Sequence, residues 1–331
     1  MTRVLRRTLM LLMAVGLVFA TAPSVGASGH TEILYSWADF TEGVAVDNSG
    51  NIFISNSFAG ELWKIAPGAA GPEVFGVVEG VNAAAGDIGL LGLATDSSGN
   101  IYGAVNSPNG PDAHGVWVFD ATTGDATRFA GSENIAFPNS VAFDARGTMY
   151  VTDTLLGAVW RLGKSGVFEP WVIDDAMLGT GALGVGPIGA NGIAIVGRTV
   201  YVSVTEQASI LAVPINSDGS AGAVGVLAAD DPLFGIDGIA AAADGSIYAG
   251  IIGQFAVARV HPDGTIEPVA SAADGDPGVL DVSSVAFGTT RDTRTTLYGV
   301  NFGFLSQGDF GTDPRPGLVA IATGVPGQPI R

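Results

Sequence analysis

The stretch Pro138-Asn139-Ser140-Val141-Ala142-Phe143-Asp144, followed after a Gly-containing turn by Met149-Tyr150-Val151-Thr152-Asp153, decides the fold. The first run is small and apolar and opens on a polar residue. The second is rich in β-branched and aromatic side chains. Two such runs across a turn read as neighbouring antiparallel strands. The same unit stands at five other places. Glu42-Gly43-Val44-Ala45-Val46-Asp47 precedes Ile52-Phe53-Ile54, and Leu91-Gly92-Leu93-Ala94-Thr95-Asp96 precedes Ile101-Tyr102-Gly103. Asn191-Gly192-Ile193-Ala194 precedes Val200-Tyr201-Val202, and Asp237-Gly238-Ile239-Ala240 precedes Ile247-Tyr248-Ala249. Ser283-Ser284-Val285-Ala286-Phe287 precedes Leu297-Tyr298-Gly299. The unit recurs about every 46 to 52 residues.

Third and fourth strands follow in several units, as in Ala158-Val159-Trp160-Arg161-Leu162 and Glu169-Pro170-Trp171-Val172. Four short strands at this period are the pattern of propeller blades. The expected architecture is an all-β, six-bladed β-propeller forming one domain over residues 28–331. An open β-solenoid is the alternative, although solenoid repeats are usually shorter. Residues 32–37, Glu-Ile-Leu-Tyr-Ser-Trp, precede the first unit and have no earlier unit to own them. They are expected to complete the sixth blade beside residues 318–321 and so close the ring.

Residues 1–27 read as an export signal: Arg3, Arg6 and Arg7, then the apolar run 9–20, then the small-residue site Val25-Gly26-Ala27. A retained anchor is the other reading. The body is expected outside the cytoplasm, secreted, periplasmic or extracellular, with no membrane insertion once the signal is cleaved. The chain has 331 residues, 14 Lys and Arg against 32 Asp and Glu, a formal charge of −18 and no cysteine. That balance argues against nucleic acid or an anionic membrane as partner, because both need a basic surface. Without cysteine there is no disulfide, no thiolate chemistry and no thiolate zinc site. The expected partner is a small molecule bound by a monomer.

Equivalent positions of successive blades form a ring about the axis. The residues opening the six inner strands are Glu42, Leu91, Asn139, Asn191, Asp237 and Ser283. Five of them bear oxygen, in strands that are otherwise Gly, Ala, Val and Ile. Two carboxylates confined there repel each other unless a cation lies between them. Two carboxylates and two amide carbonyls are a hard oxygen set that suits calcium or another divalent cation, and does not suit zinc. A water-filled polar channel is the alternative. A further polar column lies at the end of the second strands, at Asn56, Asp153 and Asn301. With Ser283, these residues are expected either to orient the ligands and touch substrate or to hydrogen-bond the blade loops.

The segments Thr41-Glu42-Gly43, Pro138-Asn139-Ser140-Val141-Ala142-Phe143, Ala190-Asn191-Gly192-Ile193-Ala194 and Ile236-Asp237-Gly238-Ile239-Ala240 resemble the regucalcin/gluconolactonase family. They are also similar to the related diisopropyl-fluorophosphatase and paraoxonase-type propellers. The resemblance implies a catalytic calcium held by Glu42, Asn139, Asn191 and Asp237. It implies hydrolysis of lactones, esters or phosphotriesters, with Asp237 as general base or nucleophile. The same segments also resemble non-catalytic NHL-repeat propellers, which would leave the metal structural and the top face for a ligand or partner. A lyase of the strictosidine-synthase-like type is a third reading.

The sequence departs from the paraoxonase-type pattern in blade two, where Val105-Asn106-Ser107-Pro108 carries no histidine. His114 is expected in a solvated hairpin loop and His261 in a plain turn. Gly184-Val185-Gly186-Pro187-Ile188-Gly189 matches a dinucleotide fingerprint in letters only, since a strand follows it in place of a helix. Residues 179–192 read as a flexible rim loop over the central pocket, of which 179–189 face the substrate. With residues 106–114, that loop is expected to choose the substrate.

Overall fold

In the computed structural model, residues 31–163, 165–303 and 315–330 are described. The expected signal, its cleavage site and His30 lie outside them. Six antiparallel four-stranded sheets form a six-bladed propeller. The inner strands, in blade order, are Thr41–Val46, Gly89–Thr95, Pro138–Phe143, Ala190–Val196, Ile236–Ala241 and Val282–Phe287. Their partners are Ile52–Asn56, Ile101–Asn106, Met149–Asp153, Thr199–Val204, Ile247–Ile251 and Thr296–Asn301. Blade 6 is completed by Thr31–Trp37 against Arg315–Ala322, with Thr31 opposite Ile321 and Trp37 opposite Arg315. The two ends of the described chain therefore share one sheet, and ladder hydrogen bonds close the ring.

A four-stranded sheet has two apolar faces and cannot cover both alone. Each face is covered by the next blade, and every pair of neighbours shares one apolar cluster. At the closing joint, Trp37, Val300 and Leu318 of blade 6 pack with Val44, Ile54 and Trp63 of blade 1. Each fully buried side chain of this kind contributes about 1.5–3 kcal/mol. The inner strands are small because they crowd the axis. A Cβ on Gly192 would lie 2.5 Å from the Asp237 carbonyl oxygen of the next blade.

The inner strands are not regular. In blade 1, Thr41 pairs with Asn56 and Val44 with Ile54, so Glu42 and Gly43 together face Ser55. Blades 2 to 5 repeat this two-against-one irregularity, and blade 6 carries a related shift after Val282. A bulge bends its strand and re-aims a side chain. Here it falls on the ring residue of each blade. The same pairing sets the two ends of the propeller. The turns after Asn56, Asp153 and Val204 lie at the ring end, and the hairpins inside the first strand pair lie at the far end.

The far end is crossed by the C-terminal segment. Gly327 N–H donates to the Arg294 carbonyl at 2.9 Å, and Gln328 N–H donates to Ala241 at 3.1 Å. Gln328 and Ile330 line a cavity of about 210 Å³ there, with Val44, Ile193 and Val285. No helix among the described residues is long and apolar enough to cross a membrane.

Candidate metal centre

The four polar residues from blades 1, 3, 4 and 5 are buried at the inner-strand bulges. Glu42, Asn139, Asn191 and Asp237 are 6, 6, 5 and 7% exposed. Each keeps one oxygen buried and without a hydrogen-bond partner: Glu42 Oε2, Asn139 Oδ1, Asn191 Oδ1 and Asp237 Oδ1. Elsewhere among the described residues, the side-chain atoms in this condition are Thr31 Oγ1, Ser57 Oγ and Arg161 Nε. An unpaired buried polar group costs about 1–3 kcal/mol. Four on one ring, each on an acceptor oxygen, call for a shared electropositive partner.

The electrostatics agree. Burial pushes the Glu42 carboxyl well above its ordinary value, and the Asp237 charge raises it further. Burial pushes Asp237 up to about 8, while the Asn191 amide beside it works in the opposite direction. A cation among these oxygens would reverse both shifts. The donor set fits a hard cation: two anionic oxygens, two amide carbonyls and no nitrogen or sulfur donor. No group of three or more His, Cys, Asp or Glu stands together among the described residues. This set has only two carboxylates, and amides complete it.

Ser283 takes another part. Its Oγ lies 2.8 Å from the Glu42 carbonyl and 3.2 Å from that of Val300, donating across the joint between the last and first blades. Leu91, buried, fills the remaining ring position with hydrocarbon. In the outer polar column, Asp153 accepts N–H bonds from Ala136, Phe137 and Leu156 and one from Trp160 Nε1. Asn301 accepts from Leu280 N–H and donates to the Gly278 and Pro316 carbonyls. Asn56 donates to Glu61 at 3.0 Å. Asp153 and Asn301 thus bind loop backbone, while Asn56 binds a strand side chain.

Two expectations are corrected. His114 is not solvated: it is 8% exposed. Its Nδ1 accepts from Ser107 N–H at 3.1 Å, so the proton sits on Nε2, which donates to the Ile135 carbonyl at 2.8 Å. It ties blade 2 to the loop entering blade 3. Residues 179–189 are not a free loop either, because the buried Glu206 carboxylate accepts their backbone N–H groups.

The sequence reading missed the residues that hold the ring in place. Ser203 Oγ accepts from Gly192 N–H at 2.7 Å and donates to the Asp237 carbonyl at 2.6 Å. Thr152 Oγ1 likewise accepts from Ser140 N–H at 3.0 Å and donates to the Asn191 carbonyl at 2.5 Å. Ser55 accepts from Gly43 N–H at 2.6 Å. These hydroxyls stand one residue before Asn56, Asp153 and Val204, the last residues of the second strands, and that matched position was the available signal. Thr205 accepts from Asn191 Nδ2 at 3.1 Å. The larger surface cleft, about 520 Å³ between Trp37, Glu61 and Trp63, is lined by none of the ring residues.

The fold and ring define a six-bladed propeller with an axial oxygen-donor site. No protein-family model matches the chain, and no curated protein matches it. Among solved structures it is similar to a gluconolactonase from Xanthomonas campestris, at 16% identity and TM-score 0.62, over 93% of this chain and 99% of that one. It is similar to regucalcin, a calcium-binding protein from Agrobacterium tumefaciens, at 19% identity and TM-score 0.63, over 90% and 97%. It is also similar to a luciferin-regenerating enzyme, at 13% identity and TM-score 0.63, over 92% and 98%. The structural neighbours are thus gluconolactonase- and regucalcin-type propellers, and at these identities the likeness establishes the fold.

Proposed function

We propose that this chain is an exported, calcium-dependent hydrolase of lactones or esters, acting as a monomer at the axial ring. Phosphotriesters, whose cleavage needs the same charge stabilisation, fall within the proposal. The observation that carries it is the set of four buried, unpartnered oxygens on Glu42, Asn139, Asn191 and Asp237. Glu42, Asn139 and Asn191, with Asp237, would hold calcium there, and the bound ion would supply polarisation of a carbonyl or phosphoryl oxygen. Asp237, ionised beside the cation, would accept a proton from the attacking water at its carboxylate. Export rests on residues 1–27 and on an acidic, cysteine-free body.

The test is turnover of a panel of lactones, aryl esters and phosphotriesters, with calcium and after chelation, in the wild type and in Asp237→Asn. Loss of turnover in both treatments is expected. Turnover that survives both removes Asp237 and the ring from the mechanism. Stoichiometric calcium with no turnover on any member leaves a non-catalytic binding propeller.

A further inference from the structure

Glu206 stands in the blade 4 turn that follows Thr199–Val204, and it is 6% exposed. Its carboxylate accepts the N–H groups of Thr180 and Gly181 at 2.6 Å, Leu183 at 2.8 Å and Ile188 at 3.1 Å. Its own N–H returns a bond to the Ile188 carbonyl at 3.2 Å. Hydrogen bonds to an ionised carboxylate are about twice as strong as neutral ones. The stretch they fold, Gly179-Thr180-Gly181-Ala182-Leu183-Gly184-Val185-Gly186-Pro187-Ile188-Gly189, is too glycine-rich to hold a shape on its own. Its neck is closed tightly. A Cβ on Gly189 would lie 2.2 Å from the Met177 carbonyl and 2.7 Å from Gly179 N.

The loop is joined to the ring through the neighbouring residue. Thr205 N–H donates to the Gly189 carbonyl at 3.2 Å, and Thr205 Oγ1 accepts from Asn191. Thr205 and Glu206 therefore fix the ring donor and the loop beside it together.

The surface this loop presents is apolar. Val185 is 47% exposed and Leu178 36%, and the adjoining blade 3 turn adds Leu155 at 47% and Leu156 at 38%. Gly157 of that turn stands against the Leu178 side chain, so the two segments are contiguous. Exposed apolar side chains gathered at one end of a monomer mark a binding surface. The charge at the ring end points the same way. Asp39, Glu79, Asp174, Asp175, Asp230 and Asp231 all lie in its loops. The only described cations at that end are Arg128 and Arg315, and both are spent on backbone carbonyls. The other described Lys and Arg residues lie toward the far end. Such a field repels anions and draws in a divalent cation.

We propose that the segment 178–189, folded around Glu206, is the specificity wall of the axial site and selects substrates with uncharged, apolar acyl groups over anionic ones. This rests on the hydrolase reading above. Glu206 is a positioning residue, and Val185 touches the acyl chain.

A pair of non-hydrolysable γ-lactams tests it, one carrying a heptyl chain and one the same chain ending in a carboxylate. Their affinities are measured on the calcium-loaded protein by calorimetry. The heptyl lactam is expected to bind about tenfold tighter or more. That ratio is expected to fall several-fold in Val185→Asp. In Glu206→Gln it is expected to fall together with faster amide hydrogen exchange across 179–189. Equal binding of the two lactams, tighter binding of the carboxylate, no binding of either, or a ratio unchanged in both variants overturns the proposal. A heptyl preference in a protein that turns over no lactone keeps the wall and removes hydrolysis. Turnover of matched lactones regardless of chain keeps hydrolysis and removes the wall.

Discussion

The Asn191 side chain donates from Nδ2 to Thr205 Oγ1 at 3.1 Å, which leaves its Oδ1 as the buried atom without a partner. One hydroxyl thus fixes which end of the amide is offered to the ring. Removing the partner of a metal ligand typically costs about 10–100-fold in affinity. Thr205→Val is expected to weaken calcium binding by about tenfold, and Thr205→Ser to restore most of it, both read by calorimetric titration. Wild-type affinity in Thr205→Val would show that this hydrogen bond does not set the donor.

The cation-free protein carries a definite pH dependence. In the folded state Glu42 and Asp237 hold their protons to higher pH than in the unfolded chain. Between the ordinary Asp value of 3.8 and the folded value of about 8, the folded state therefore binds more protons. Stability is full below that window and falls as pH rises through it. The thermal midpoint of chelated protein is expected to drop from about pH 4 to 8, and the gain on adding calcium to grow over the same range. A chelated midpoint that rises steadily across the window contradicts the buried acid pair.

Ser203 makes two buried hydrogen bonds, one accepted from Gly192 N–H within blade 4 and one donated to the Asp237 carbonyl of blade 5. Ser203→Ala strands Gly192 N–H and the Asp237 carbonyl at once. A loss of about 2–4 kcal/mol is expected in denaturant unfolding, because each stranded buried group costs about 1–3 kcal/mol. Affinity for calcium should fall with it, since the Asp237 backbone loses its tie.

The blade 4 turn holds Ala208 at φ 49°, where the matching turns of blades 1 and 3 use Gly60 and Gly157 at φ 68° and 62°. A non-glycine residue in the left-handed region costs about 1–2 kcal/mol. Glycine gives back about 0.4–1 kcal/mol through the freedom it adds to the unfolded chain. Ala208→Gly is therefore expected to raise stability by up to about 1 kcal/mol, seen as a higher thermal midpoint. A lowered midpoint would mean that the Ala208 methyl group contributes more packing than the strain removes.

Much of this molecule is legible from spacing alone. A strand pair repeated six times, with small residues in each first strand, implies blades crowded on an axis. An unowned strand before the first unit implies closure, and Thr31–Trp37 does pair with Arg315–Ala322. Equivalent positions in a ring face one another, so listing the opening residues of the inner strands already collects Glu42, Asn139, Asn191 and Asp237. These features follow from chain periodicity, which a sequence carries in full.

What tertiary structure alone decided is which polar atoms are left without a partner. Asp153, Asn301 and Ser283 look as chemically available in the sequence as the ring donors do. In the fold their oxygens are used by loops or by the next blade, while four ring oxygens remain unpaired. Hydrogen-bond satisfaction depends on partners far apart in the chain, as with Ser283 and Glu42 or Glu206 and Thr180, and no local pattern encodes those pairs. The inner-strand bulges belong to the same class. They arise where two strands must pair while a neighbouring blade presses on the axis, and they turn a periodic polar residue into an aimed one.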